Sequence, residues 1–204
     1  ELAGYTGAYL FITCFYVLPL ILNVSIKSRM ARSRPTSQPA WKTLAASVRY
    51  SLHNRVILGV LVTTMLMNFV AFSSIQLFPV VARDHLHVGE GFTGLLMSSI
   101  GIGTLIGSLL ITALGTARSQ GRLFFIGASV QLLGLLIFAI SPWYLLSFFM
   151  LIISGLGLSG YAIMQATILL TSAAPEQRGM AIGLMDLCVG VAPFGLLQVG
   201  AVAT

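Results

Sequence analysis

The chain has 204 residues, 57% of them hydrophobic and only 8% charged, where a soluble domain carries about 25% charge. Eleven Lys and Arg against five Asp and Glu give a formal charge of +6, but the cations lie between apolar stretches with no aromatic–basic patch able to stack bases, which excludes a nucleic-acid binder. The chain cannot cover a water-facing surface, so composition also excludes a soluble domain and points to the bilayer as solvent.

Stretches free of Asp, Glu, Lys and Arg locate the membrane segments. The first, 2–26, is one helix long, since a span needs roughly 20 apolar residues. It begins at Glu1 with no basic segment before it, so it reads as a helix of a longer protein rather than a signal peptide. The next segment, 27–55, is the long connection. Its seven cations (Lys27, Arg29, Arg32, Arg34, Lys42, Arg49, Arg55) face no acid, and Arg34-Pro35-Thr36-Ser37-Gln38-Pro39 reads as irregular. Trp41, Leu44, Ala45, Val48 and Leu52 then recur at helical spacing. They predict either an amphipathic helix lying on an anionic leaflet or a solvated linker.

Four further apolar runs follow: 56–82, 91–117, 123–175 and 179–204, the last holding only Asp186. The third is twice the length of a span, and Ser141-Pro142-Trp143 sits where a turn would divide it. All are too long for barrel strands and do not alternate in polarity. The expected fold is therefore an all-α, polytopic membrane bundle of six transmembrane helices. Segment 1–26 is one span, 27–55 a basic linker, and 56–204 a five-helix bundle. With six spans, ten of the eleven Lys and Arg fall on one side and Arg83 alone on the other. The positive-inside rule makes the first side cytoplasmic, with 27–55 inside and the protein in the inner plasma membrane.

Within the spans, Gly103 and Gly107 form a GxxxG pair, extended by Ser99, of the kind that lets helices approach closely. Gly155, Gly157 and Gly160 spell a dinucleotide fingerprint, but they lie in an apolar helix rather than after a strand, so close packing or a flexible point is the reading. Asp186 is the one ionisable side chain within a span, about 10 Å below its basic end at 1.5 Å per residue. It is either a proton or cation site, or a structural or snorkelling carboxylate. Thr64, Asn68 and Gln76 share roughly one face, with Phe72 between them. Ser159, Tyr161, Gln165 and Thr171 mark another span, and Gln131 sits alone in its own. Each is either helix–helix glue or part of a pathway, and only convergence of two faces would favour the pathway. Cys14 and Cys188 read as small buried hydrophobes. His85 and His87 beside Asp84 lack a third metal ligand, and no Walker motif or catalytic constellation is present, so neither a cofactor nor an enzyme activity is expected.

Three segments carry a family resemblance. Leu77-Phe78-Pro79-Val80-Val81-Ala82-Arg83-Asp84, followed by Gly91-Phe92-Thr93-Gly94-Leu95-Leu96, resembles the end of helix seven and the start of helix eight in the drug- and siderophore-exporting branch of the major facilitator superfamily, which includes the enterobactin-exporter type. Gly115-Thr116-Ala117-Arg118-Ser119-Gln120-Gly121-Arg122 resembles a worn copy of that family's Gly-x-x-x-Asp-Arg-x-Gly-Arg loop, without its acid. Pro175-Glu176-Gln177-Arg178-Gly179-Met180-Ala181 is similar to its Pro-x-x-Arg-Gly-x-Ala turn. The resemblance implies helices six to eleven of a twelve-helix transporter.

On that resemblance, helices seven and ten line a central cavity, which promotes Asn68, Phe72, Gln76, Tyr161 and Gln165 to substrate-facing candidates and leaves Gln131 to packing. Asp186 is the proton-coupling candidate. Arg118, Gly121, Arg122, Glu176, Arg178 and Gly179 would form a cytoplasmic gate, with Glu176 favoured at a helix N-terminus and able to pair with Arg122. The expected function is proton-coupled export of small organic molecules by alternating access. The expected partners are lipid, substrate and the remaining N-terminal helices. The alternatives are the membrane domain of a multi-component, ABC-type exporter and a non-transporting membrane protein.

Overall fold

The computed structural model describes residues 7, 13, 16–17, 19–22, 40–114 and 119–202. The chain divides into two compact units, Glu1–Gln38 and Pro39–Thr204. In the first, the described residues are helical, and Tyr16, Leu20 and Leu22 are exposed. Most of the predicted first span, with Cys14, lies outside the described residues, as do Lys27, Arg29, Arg32 and Arg34.

The second unit is built of helices, with no strand among the described residues: α1 (Ala40–His53), α2 (Arg55–Met67), α3 (Phe78–Asp84), α4 (Glu90–Leu114), α5 (Gln120–Ile140), α6 (Tyr144–Ser172), α7 (Arg178–Val189) and α8 (Ala192–Val202). In hydrocarbon every backbone N–H and C=O must find an internal partner, which favours uninterrupted helices. Among the described residues, five stretches are long and apolar enough to cross a membrane: Arg55–Asp84, Glu90–Ala113, Gln120–Ile140, Tyr144–Ser172 and Pro175–Gln198. The double-length apolar run breaks at residues 141–143, where Pro142 offers no N–H and the Ser141 hydroxyl donates to the Trp143 carbonyl at 3.1 Å.

Helix α2 starts where the apolar run starts. The Asn54 side chain accepts from the Val56 and Ile57 amides at 3.1 and 3.3 Å, capping donors that the helix leaves free. The span is then not a plain α-helix. Residues Asn68–Phe72 form a π-turn and Ile75–Leu77 a 3-10 turn before α3. Pro79 explains the second irregularity. It has no N–H for the Ile75 carbonyl four residues earlier, and the Phe78 amide takes that carbonyl instead. The last span breaks similarly at Gly190–Val191, with Pro193 at the start of α8.

Helix α6 is the centre of the bundle, with α4 and α5 packed most closely against it. Its buried residues include Leu151, Ser154, Gly155, Gly157, Gly160, Tyr161 and Gln165. Two glycine crossings set the separations. At one, a Cβ on Gly103 would meet the Ile152 carbonyl, and a Cβ on Gly155 would meet the Ile100 carbonyl. At the other, a Cβ on Gly157 would lie 2.6 Å from the Gly127 carbonyl and one on Gly127 would lie 2.8 Å from the Gly157 carbonyl. These backbones touch, so both helices must be bare at those points. Gly107 fits beside Ser159 and Leu156 in the same way, while a Cβ on Gly160 would be in ordinary contact at 3.5 Å.

The exterior is apolar. Val62, Leu66, Leu105, Leu109, Phe125 and Leu136 are all exposed, as lipid-facing side chains are in a spanning bundle.

Candidate functional site

The polar faces of two spans meet. Thr64 on α2 and Gln165 on α6 are joined by a 2.6 Å hydrogen bond from the Gln165 Nε2 to the Thr64 Oγ1. The Thr64 hydroxyl in turn donates to the Val60 carbonyl at 2.8 Å. One turn on, the Asn68 Nδ2 donates to the Thr64 carbonyl at 2.9 Å, just where the π-turn begins. Tyr161, one turn before Gln165, stacks on Phe124 of α5 with ring centroids 5.4 Å apart. Its buried hydroxyl has no hydrogen-bond partner among the described residues.

This polar seam is sealed inside the bundle. Thr64 is 0% exposed, Tyr161 2%, Asn68 5% and Gln165 7%. Phe72 is half-buried and Gln76 exposed. The five candidates therefore do not stand on one open wall. Gln165 ties α6 to α2 through Thr64, Asn68 bonds its own span, Tyr161 stacks on α5, and Phe72 and Gln76 stand nearer the surface. Gln131 on α5 is 1% exposed and its backbone carbonyl accepts from the Ser154 hydroxyl at 3.2 Å.

Asp186 is exposed on α7, and Ala181 and Leu184 are buried. Its neighbours on the outward face are Gly183, Leu187 and Gly190. Cys188 is half-buried and free.

At the basic end of the bundle, Gly121, Arg122, Glu176, Arg178 and Gly179 are all exposed, and Arg118 lies outside the described residues. Among the described residues no ion pair joins Arg122 to Glu176. Helix α1 is attached here. Its Tyr50 hydroxyl accepts from the Ala174 amide at 3.5 Å, Ser51 is buried, and Ala45, Val48 and Leu52 face outward. At the opposite end, the Tyr144 hydroxyl donates to the Phe92 carbonyl at 3.2 Å. Among the described residues no group of three His, Cys, Asp or Glu comes together to hold a metal ion.

Sequence reasoning did not single out two of these features. Ser73, 1% exposed, hydrogen-bonds the backbone of the last span. Tyr50 docks the linker helix onto the turn after α6.

The model of the Major Facilitator Superfamily matches residues 1–196. The chain belongs to the Major Facilitator Superfamily. No curated protein and no solved structure matches it. As a superfamily member it is a multi-pass integral membrane protein of the secondary-transporter class, in contact with lipid and a small-molecule substrate. Polar side chains that join two spans in hydrocarbon hold the helices together.

Proposed function

We propose that the full protein exports small organic molecules of the drug or siderophore type by alternating access, driven by protons. The observation that carries this is the convergence of α2 and α6 at the Thr64–Gln165 hydrogen bond, with the aromatic Phe72 and the amide of Gln76 standing outside the seam. An aromatic and a neutral amide suit a largely apolar solute with a few hydrogen-bonding groups. Asn68, Tyr161 and Gln165 form the inner wall that such a solute meets when α2 shifts against α6. Asp186, exposed on α7, is the proton carrier. The test is full-length expression in cells stripped of efflux systems, with accumulation of a compound panel followed across set pH gradients. The protein should lower accumulation of at least one compound, and collapsing the proton gradient should restore it. Accumulation that ignores the gradient would remove proton coupling.

The basic end is cytoplasmic on this reading. Residues 27–55 lie inside, with the outward-facing Ala45, Val48 and Leu52 of α1 seated in the inner leaflet beside Arg49. The exposed Arg122, Glu176 and Arg178, with Arg118, Gly121 and Gly179, form a latch that closes in one gate state. Arg122 and Glu176 stand apart in the conformation described here, so their pairing belongs to another state. Arg122→Glu is expected to cut transport several-fold, and adding Glu176→Arg should restore most of it. A double variant no better than the single one would sink the pairing.

A further inference from the structure

Both broken spans break beside each other. The span carrying α2 and α3 is irregular from Asn68 to Leu77, and the span carrying α7 and α8 is interrupted at Gly190–Val191. Helix α8 packs on the π-turn itself. A Cβ on Gly195 would meet both the Phe69 carbonyl and the Ser73 hydroxyl, so the two backbones are in contact there. One side chain joins them. The Ser73 Oγ lies 3.1 Å from the Asn68 carbonyl, which opens the π-turn, and 3.1 Å from the Ala192 carbonyl, which opens α8. A hydroxyl has a single proton to share between these two acceptors. Losing it inside the bundle would leave both carbonyls without that donor.

We propose that Ser73 is a positioning residue: its hydroxyl binds the π-turn bearing Asn68 and Phe72 to the first turn of α8, so that the two broken spans shift as one unit. π-turns inside α-helices occur frequently at functional sites, and interrupted spans are where transporter helices meet their cargo. The π-turn holds one residue more per hydrogen-bonded loop than an α-turn. Its conversion to a regular helix would rotate Phe72 relative to Asn68. Through Ser73 that rotation is transmitted to Ala192 and the Gly190–Val191 break. The link to cargo rests on the transport reading above; the link between the two breaks does not.

Hydrogen exchange on the full-length protein in lipid nanodiscs tests it. With Ser73→Ala and no substrate, amides of 68–74 and of 189–196 should both exchange faster, each by about fivefold, the scale of one net hydrogen bond. Acceleration in one segment alone, or in neither, overturns the coupling. Ser73→Cys keeps the shape with a weaker donor. It should accelerate both segments by a smaller factor and serves if the alanine variant does not fold; a one-sided response again overturns the proposal. A transported compound added to the wild type should slow both segments, and in Ser73→Ala only 68–74. Slowing of both in the variant would show that another contact makes the tie. A joint response to Ser73→Ala in a protein that moves no compound would leave the coupling standing and sink only the transport reading.

Discussion

Leucine in place of Gly157 is expected to eliminate folded transporter, whereas Gly101→Ala on α4 should leave it intact. At Gly157 even a Cβ would stand 2.5 Å from the Gln131 amide nitrogen and 2.6 Å from the Gly127 carbonyl oxygen. Those atoms are backbone, so no rotamer change relieves the overlap, and α5 must be pushed off α6. Overpacking a core costs about 1–3 kcal/mol when side chains can give way. Here they cannot, and separation would also break the Phe124–Tyr161 stack and the Ser154–Gln131 hydrogen bond. The expected cost is about 3 kcal/mol or more, a large share of a domain's total stability. At Gly101 nothing lies within 4 Å, and alanine improves helix propensity. Fluorescence-detected size-exclusion chromatography of the tagged full-length protein reads the difference. A monodisperse Gly157→Leu peak at wild-type yield would show that the crossing is looser than described.

The spans were legible because membrane length and charge exclusion are properties of the sequence itself. Residues 141–143 divided a double-length run because Pro142 cannot continue a helix and because the run was too long for one span. Gly103 and Gly157 were legible as small residues, but their partners were not, since spacing gives a face and never a neighbour. The same limit applied to the candidate cavity. Thr64 and Gln165 each announced a polar face, and only the structure brings them to 2.6 Å.

The placement of Gln76 shows what periodicity misses. On a regular helix of 3.6 residues per turn, steps of four from Thr64 through Asn68 and Phe72 to Gln76 drift about 40° each, so Gln76 stands roughly 120° round from Thr64. The π-turn at Asn68–Phe72 and the 3-10 turn at Ile75–Leu77 then shift that phase again, in opposite senses. Asn68 stays buried and Gln76 comes out exposed. Pro79 and Pro193 were visible signals of broken helices, whereas the π-turn has no residue signature of its own. Ser73 went unnoticed for a related reason: a serine in an apolar span most often bonds its own helix, as Ser74 does to the Val70 carbonyl at 2.7 Å.

Asp186→Asn should reduce proton-driven substrate movement by about tenfold or more while leaving substrate exchange between equal concentrations largely intact. Asn keeps the size of the side chain and removes its proton, so the two measurements separate energisation from passage. The argument rests on where α7 places the residue. Ala181 and Leu184 turn inward, and Asp186 shares the outward face with Gly183 and Gly190. A carboxylate held in hydrocarbon at a helix centre costs about 2.5–3.5 kcal/mol. No ion pair compensates Asp186 among the described residues. Leu187 shares this face, but the glycines one turn before and one turn after Asp186 leave room beside the carboxylate, which suits a hydrated cleft against other helices where it can load and release a proton as access alternates. Counterflow and gradient-driven transport in the same proteoliposomes measure both terms. If Asp186→Asn retains wild-type gradient-driven rates, the proton travels elsewhere and the carboxylate is structural. If it loses exchange as well, Asp186 contacts the substrate itself. Asp186→Glu, which restores the proton on a longer arm, should recover part of the gradient-driven rate in the first case.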